Sequence, residues 1–237
     1  MRLDDPEVVR REYATEAGLR VRSSVYEGVA GPDAREIALR AVAEVTPRRV
    51  LEVGCGWGEF AQRVADELDA DVAAVDISPR MVELARERGV QAQVADVQDL
   101  PFENGSFDCV VANWMLYHLP DLNRGVSEIA RVLRTGGRLV AATNGLRHLA
   151  ELWSLVGRDR AAEPSRFFAE NGESWLRPYF SRVEVRSVES AVAFPDTDAV
   201  RDYIASSVAH KHLTDLVPEL GGPLVATRQS AIFVAEK

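Results

Sequence analysis

The stretch Val50-Leu51-Glu52-Val53-Gly54-Cys55-Gly56-Trp57-Gly58-Glu59 restricts the fold more than any other part of the chain. An apolar run carrying one acid breaks into three glycines at alternate positions, and a helical pattern begins at once. This reads as a buried strand, a tight turn and a helix N-terminus. Glycine suits such a turn because the backbone must bend sharply and a ligand can approach where no Cβ stands. The spacing is Gly-x-Gly-x-Gly. A nicotinamide-dependent oxidoreductase needs Gly-x-Gly-x-x-Gly, and position 59 is Glu, so that reading lacks its fingerprint.

Strand-like and helix-like segments alternate from about residue 48 onward. Strands are expected at Arg49–Val53, Val72–Val75, Val90–Ala95, Phe107–Ala112 and Arg138–Ala142. Helices are expected at Glu59–Leu68, from Pro79 to about Arg88, and over Leu122–Leu133 with a stop at Gly136-Gly137. Ser78-Pro79 is a helix start, with Ser as N-cap and Pro at the first helical position. The alternation implies a parallel sheet with helices on both faces. Further on, helices are expected at Leu149–Val156, Glu173–Phe180 and Asp198–Val208, and strands at Arg182–Val192 and Thr227–Ala235. Residues 193–222 are too long for a turn and are a candidate substrate cap. Two helical stretches, about Pro6–Ala17 and Pro32–Val45, precede the first strand. The chain is thus read as one domain, 1–237: a helical cover (1–45), a cofactor-binding core (46–145) and a C-terminal sheet half with the cap insertion (146–237).

Bulk properties narrow the class of partner. With 237 residues and 46% hydrophobic content the chain can bury a substantial core. A net charge of −9 and the lack of any long Lys/Arg run make a nucleic-acid partner unfavourable and a small molecule the better expectation. The two cysteines, Cys55 and Cys109, fall in or beside expected buried strands, with no metal-ligand spacing. The segment Met1–Glu7 is too polar for a signal peptide, and no apolar stretch nears the roughly 20 residues of a membrane span. A cytoplasmic protein is expected.

Open parallel sheets bind ligands at the carboxyl ends of their strands, where strand order reverses. The first strand offers the glycine turn there. The second offers Asp76, roughly 20 residues after Gly54, where an acid can take both ribose hydroxyls. The third offers Asp96-Val97, suited to an exocyclic amine and a ring nitrogen. The fourth offers Asn113, followed by Trp114-Met115-Leu116-Tyr117-His118. No Gly-Lys-Ser/Thr phosphate clamp exists, so the site suits an adenosine without phosphate.

With these residues in place, the chain resembles the class I S-adenosylmethionine-dependent methyltransferases. Leu51-Glu52-Val53-Gly54-Cys55-Gly56-x-Gly58 is similar to their first motif and Val75-Asp76-Ile77-Ser78 with Met81 to their second. Ala95-Asp96-Val97-Gln98-Asp99-Leu100-Pro101-Phe102 with Phe107-Asp108 is similar to the third and its following strand. Leu133-Arg134-x-Gly136-Gly137 is similar to the turn before strand five. The resemblance covers about residues 48 to 143. It implies an α/β, Rossmann-like, doubly wound sheet of seven strands in the order 3-2-1-4-5-7-6, with strand 7 antiparallel. It implies S-adenosyl-L-methionine as cofactor, with Gly54, Cys55 and Gly56 against its methionine part and Asp76 on the ribose. Asp96 and Val97 would recognise the adenine, with Ile77 and Met81 packed beside the adenosine.

In small-molecule members N-terminal helices fold over the cofactor. Tyr13 and Arg22 are therefore candidates for its carboxylate, since Arg binds carboxylates in bidentate fashion; the alternative for Arg22 is a solvated helix face. Trp57 is expected over the methionine end or against an N-terminal helix. Methyl transfer from a sulfonium is an in-line displacement, in which the protein supplies alignment, desolvation and sometimes a base. His118 is the candidate base, and otherwise caps a turn or positions substrate. Trp114 and Tyr117 either stack on the acceptor or pack in the core. His148 has no partner that suggests a metal, and His210-Lys211-His212 is read as a solvated face. The residues after strand four are not the Asn/Asp-Pro-Pro-Tyr/Phe set of amino methylation on bases or glutamine. A small-molecule O-, N- or C-methyltransferase is the leading expectation. A tRNA or protein methyltransferase, or a non-catalytic S-adenosylmethionine-binding protein, remains the alternative.

Overall fold

A computed structural model describes residues 4–27, 29, 31–159 and 167–237. Residues 1–3 of the polar N-terminal segment and 160–166 of the C-terminal half lie outside the described residues. Seven strands form one sheet: β1 (Arg49–Val53), β2 (Asp71–Asp76), β3 (Gln91–Val94), β4 (Phe107–Asn113), β5 (Leu133–Asn144), β6 (Arg182–Phe194) and β7 (Leu224–Glu236). Their order is β3-β2-β1-β4-β5-β7-β6, and β7 runs antiparallel to both neighbours. This is the order implied by the resemblance.

Strand alternation explains the two apolar layers. Val50 faces α3 (Ala34–Ala43), α4 (Glu59–Leu68) and α5 (Pro79–Glu87), together with Val72, Cys109 and Val140. Leu51 and Val53 face the opposite way, with Val110 and Leu139, onto α6 (Leu122–Val132) and α8 (Gly172–Leu176). Both faces are covered, so the central strands read as nearly continuous apolar runs. Val50, Leu51 and Val53 are fully buried, and each such side chain contributes roughly 1.5–3 kcal/mol. A third cluster joins α7 (Ala150–Leu155) and α9 (Thr197–Ala205) to Val192, Phe194 and Ala226 at one end of the long β6–β7 pair.

Several boundaries differ from expectation. The helix before the double glycine ends at Val132, and β5 already begins at Leu133, with an irregularity in its pairing to β4 at Gly136-Gly137, where Gly136 is left-handed (φ +72°). Leu133 pairs with Phe107, and Arg134 Nε bonds Asp108 Oδ1 at 2.6 Å, which ties the start of β5 to β4 before the irregularity. The cover contains α1 (Pro6–Glu12), α2 (Ala17–Ser24) and α3, so the stretch carrying Arg22 is a helix that periodicity did not reveal. α2 buries no residue, hence its weak apolar signal. Residues 193–222 hold α9 and a 3-10 helix, Lys211–Leu216. His210 is buried against Trp153, with ring centroids 4.9 Å apart, and is not part of a solvated face.

Two left-handed glycines separate backbone strain from steric contact. At Gly58 (φ +79°) a Cβ would lie 2.8 Å from Ala85 Cβ, where α5 crosses the start of α4; at Gly89 (φ +86°) it would meet nothing within 4 Å. Gly89→Ala should cost about 1–2 kcal/mol for its backbone conformation alone. Gly58→Ala should cost about 1–3 kcal/mol more, through the forced shift of a packed helix. Urea unfolding of both variants measures the difference, and equal costs would refute the close approach.

Candidate active site

Strand order reverses between β1 and β4, and the cleft opens there, outside the strand ends. A cavity of about 690 Å³ fills it, within the size range of ligand sites. Of the residues singled out from the sequence, Tyr13, Arg22, Gly54, Cys55, Gly56, Trp57, Asp76, Ile77, Asp96, Val97, Asn113, Trp114, Tyr117 and His118 all line it. Met81 does not. It lies fully buried in the first turn of α5, where its amide is capped by Ser78 Oγ, so the expectation that it packs beside an adenosine is corrected.

The glycine turn is fixed from two sides. The amides of Gly54 and Cys55 both donate to the Val75 carbonyl, at 2.8 and 3.1 Å, tying the turn to β2. At Gly54 (φ +67°) a Cβ would stand 2.7 Å from Met115 Cβ. That glycine is thus required by the side chain leaving β4, and Gly58 is required by α5. At Gly56 a Cβ would make only ordinary contact, 3.6 Å from Leu19 of α2.

Two acids stand beside the turn. Asp76 accepts from the Gly56 amide through Oδ2 and from the Ser78 amide through Oδ1, both at 2.9 Å. Burial raises its pKa while these backbone bonds oppose the rise. Glu52 is almost wholly buried, and its Oε2 has no hydrogen-bond partner. Burial, reinforced by the charges of Asp76 and Glu59, pushes its pKa up to about 8 against the Ala61 amide. Asn113, at the end of β4, has neither side-chain polar atom partnered, though both are buried. Buried polar groups are nearly always satisfied, so these orphaned atoms on one cavity wall are the mark of a ligand surface. Asp96 lies farther along, with its carboxylate held by the Gln98 amide at 2.8 Å and the Gln98 side chain.

The cover closes the other side. Tyr13 Oη lies 2.9 Å from His118 Nε2, and the Tyr13 carbonyl accepts from Ser78 Oγ at 2.7 Å. Burial pushes the Tyr13 phenol up to about 12. Tyr13 therefore keeps its proton and shares a hydrogen bond with His118. Arg22 pairs with the buried Glu12 at 2.7 Å and donates to the Ser206 carbonyl at 2.7 Å. Glu12 in turn accepts from the Val208 amide. Arg22 thus faces the cavity with its charge already balanced and ties the cover to the end of α9. Trp57 packs under the Arg20 guanidinium of α2, 5.4 Å from the ring centroid, which is the helix contact expected for it.

Beyond β4, Trp114 adopts a left-handed conformation (φ +51°) and donates from Nε1 to Asn144 Oδ1 at 2.9 Å. Strain of this kind in a non-glycine residue gathers at functional sites. Tyr117 and His118 follow in a 3-10 turn, with ring centroids 4.4 Å apart. The cavity wall also includes Tyr26, Asn144, His148, Tyr203 and Arg228, which sequence reasoning passed over. For His148 a signal existed: it follows the carboxyl end of β5 much as His118 follows β4. A second recess of about 140 Å³ adjoins and shares Tyr117, His118, His148 and Tyr203 with the first.

Residues 51–141 match the family described as "Methyltransferase domain". The chain is 42% identical over 147 residues to 27-O-demethylrifamycin SV methyltransferase of Amycolatopsis mediterranei, covering 55% of this chain and 54% of that one. It is 37% identical over 121 residues to ubiquinone biosynthesis O-methyltransferase of Xanthomonas oryzae pv. oryzae, covering 48% and 50%. The chain spans about half the length of these curated relatives. A Thermotoga maritima structure described as a SAM-dependent methyltransferase, possible histamine N-methyltransferase, shares the fold, with a TM-score of 0.61 at 21% identity over 96% of this chain and 99% of that one. Residues 51–141 thus match a methyltransferase domain, on a sheet whose strand order and glycine turn at the switch point are similar to those of class I S-adenosylmethionine-dependent methyltransferases.

Proposed function

We propose that this protein transfers a methyl group from S-adenosyl-L-methionine to a hydroxyl of a small organic molecule. The observation that carries the donor assignment is the set of orphaned polar atoms, Glu52 Oε2 and both polar atoms of Asn113, beside the glycine turn. A ligand with an ammonium or sulfonium suits a wall built on Glu52 and Asp76, and a buried acid stabilises a cation strongly there. In this reading Asp76, whose carboxylate has lone pairs left after its two backbone bonds, takes the ribose hydroxyls. Glu52 meets the cationic methionine part along Gly54, Cys55 and Gly56, and Asp96 with Val97 takes the adenine, beside Ile77. Tyr13, Arg22 and Trp57 close the cover over the donor. Trp114, Tyr117 and His118 face the acceptor.

The bound cofactor supplies an electrophilic methyl group, so the chain's own task is to align an acceptor and exclude water. Oxygen as acceptor atom is supported by the relatives, both of which carry names of small-molecule methylation at oxygen. The net charge of −9 disfavours a nucleic-acid substrate. No helix among the described residues is long and apolar enough to cross a membrane, and we read the protein as cytoplasmic. Residues 1–45 act as cover, 46–145 as cofactor core, and 146–237 as the acceptor side.

Asp76→Ala removes the acceptor of two backbone amides and, in this reading, of the ribose. S-adenosylhomocysteine affinity should fall by about 1–3 kcal/mol in calorimetry, roughly 5- to 150-fold. Unchanged affinity in a folded variant would refute the assignment. Glu52 gives a pH signature. With its pKa near 8, it holds a proton in the free protein at neutral pH, and a bound ammonium favours the ionised form. Binding then expels a proton, so affinity for S-adenosylhomocysteine should rise with pH between about 6 and 8, by up to tenfold per unit, and level off above. Glu52→Gln should flatten that dependence.

A further inference from the structure

Two tyrosine–histidine pairs face the cavity, and they differ in what they can do with a proton. In the first, burial pushes the Tyr13 phenol up to about 12, so it keeps its proton, and its Oη lies 2.9 Å from His118 Nε2. In the second, Tyr26 Oη lies 2.9 Å from His148 Nε2. His148 Nδ1 lies 3.1 Å from the Gln229 carbonyl and 3.3 Å from the Gln229 amide; in the tautomer with the proton on Nδ1 the ring donates to that carbonyl and leaves Nε2 as the acceptor facing Tyr26. The Arg228 guanidinium sits 5.0 Å from the Tyr26 ring centroid, itself nearly buried and paired with Asp33. A cation over an aromatic face is held more strongly as negative charge builds on the ring. Tyr203 Oη, 3.4 Å away, adds a second polar neighbour for the Tyr26 hydroxyl.

The recess beside this pair is shaped for one ring. Its volume is about 140 Å³, close to the roughly 150 Å³ of an apolar cavity known to take up benzene. Tyr117, Trp153, Phe168 and Tyr203 form its aromatic side, where ring walls favour edge and face contacts with a flat guest, and polar groups such as Asn144 and Arg158 form the rest of its wall. His148 and Tyr203 belong to both the recess and the larger cavity, and Tyr26 lines the latter.

We infer that the recess holds a phenolic ring of the acceptor and that Tyr26, relayed to His148, takes the proton from its hydroxyl. This rests on the methyl-transfer reading above. The acceptor proton passes to Tyr26 Oη as the Tyr26 proton passes to His148 Nε2, leaving an imidazolium whose Nδ1–H bonds the Gln229 carbonyl. The acceptor oxygen forms its bond to the methyl carbon while the sulfur–methyl bond breaks and its electron pair stays on sulfur. The imidazolium proton then leaves to solvent. Phenol is the class that fits, because the recess is about the size of one ring and a phenol yields its proton to an imidazole more readily than an aliphatic hydroxyl does. Tyr26 is the group that touches the acceptor, and His148 is its positioning residue and proton store.

The test uses 4-nitrophenol, whose anion is yellow, added near neutral pH to the full chain saturated with S-adenosylhomocysteine. Calorimetry of the homocysteine compound is run first on the wild type, Tyr26→Phe and His148→Gln. Tyr26→Phe keeps the ring under Arg228 and removes only the hydroxyl, so a folding defect there is not expected; its melting curve checks this. The wild-type protein should bind the probe and raise its ionised fraction above that of free probe at the same pH. Each variant should bind the homocysteine compound as tightly as wild type, lose the added ionisation, and bind the anion at least about tenfold more weakly. Wild-type protein that binds the homocysteine compound but not the probe, or variants that ionise the probe as fully as wild type, would overturn the relay and leave the donor reading standing. Failure of the homocysteine compound to bind would overturn the donor reading and the relay with it.

Discussion

The Asp76 carboxylate is the joint on which the site depends. One oxygen holds the Gly56 amide and the other the Ser78 amide, so a single side chain fixes the glycine turn after β1 and the start of α5 together. A buried carboxylate is tolerable there because backbone donors answer it on both sides. The arrangement explains why β2 must end in an acid as well as why β1 must end in glycines. With the turn held to the Val75 carbonyl too, its shape is set by protein bonds, and a ligand meets a wall that is already built.

That division of labour revises the reading of the glycines. From the sequence alone the Gly-x-Gly-x-Gly run signals room for a ligand. In the fold, Gly54 makes room for Met115 and Gly58 makes room for Ala85, while Gly56 stands beside the cavity with space to spare. The motif was legible because each glycine is needed, although two of the three needs are internal packing. Glu52 shows the complementary case. Its place in an apolar strand was visible, yet its orphaned oxygen emerges only once α4 covers that face of β1 and no partner arrives.

The central fold was readable for a physical reason: strands buried on both faces write long apolar runs, and their carboxyl ends are punctuated by Asp, Asn and Gly. The cover was not. α2 buries nothing, so no periodicity marks it, and it is held by polar bonds such as Arg22 to Glu12 and to the Ser206 carbonyl. Contacts between residues so far apart in sequence leave no local trace. The same holds for Tyr26, unremarkable among its neighbours and informative only when paired with His148.

This contrast also accounts for where similarity to known proteins is concentrated. The family match spans residues 51–141, the strands and turns that build the donor side. A donor that never changes fixes its wall: the same ribose, adenine and charged sulfur ask for the same acids and the same turn. Tyr117 and His118 of the recess fall within that span, whereas its Trp153, Phe168 and Tyr203 lie outside it, on α7, before α8 and on α9. These elements pack on the long β6–β7 pair, away from the switch point. They are free to change shape without disturbing the joint at Asp76, because the β4–β5 half of the sheet stands between. Specificity can therefore be rebuilt on one side of His148 while the chemistry of the donor side stays as it is.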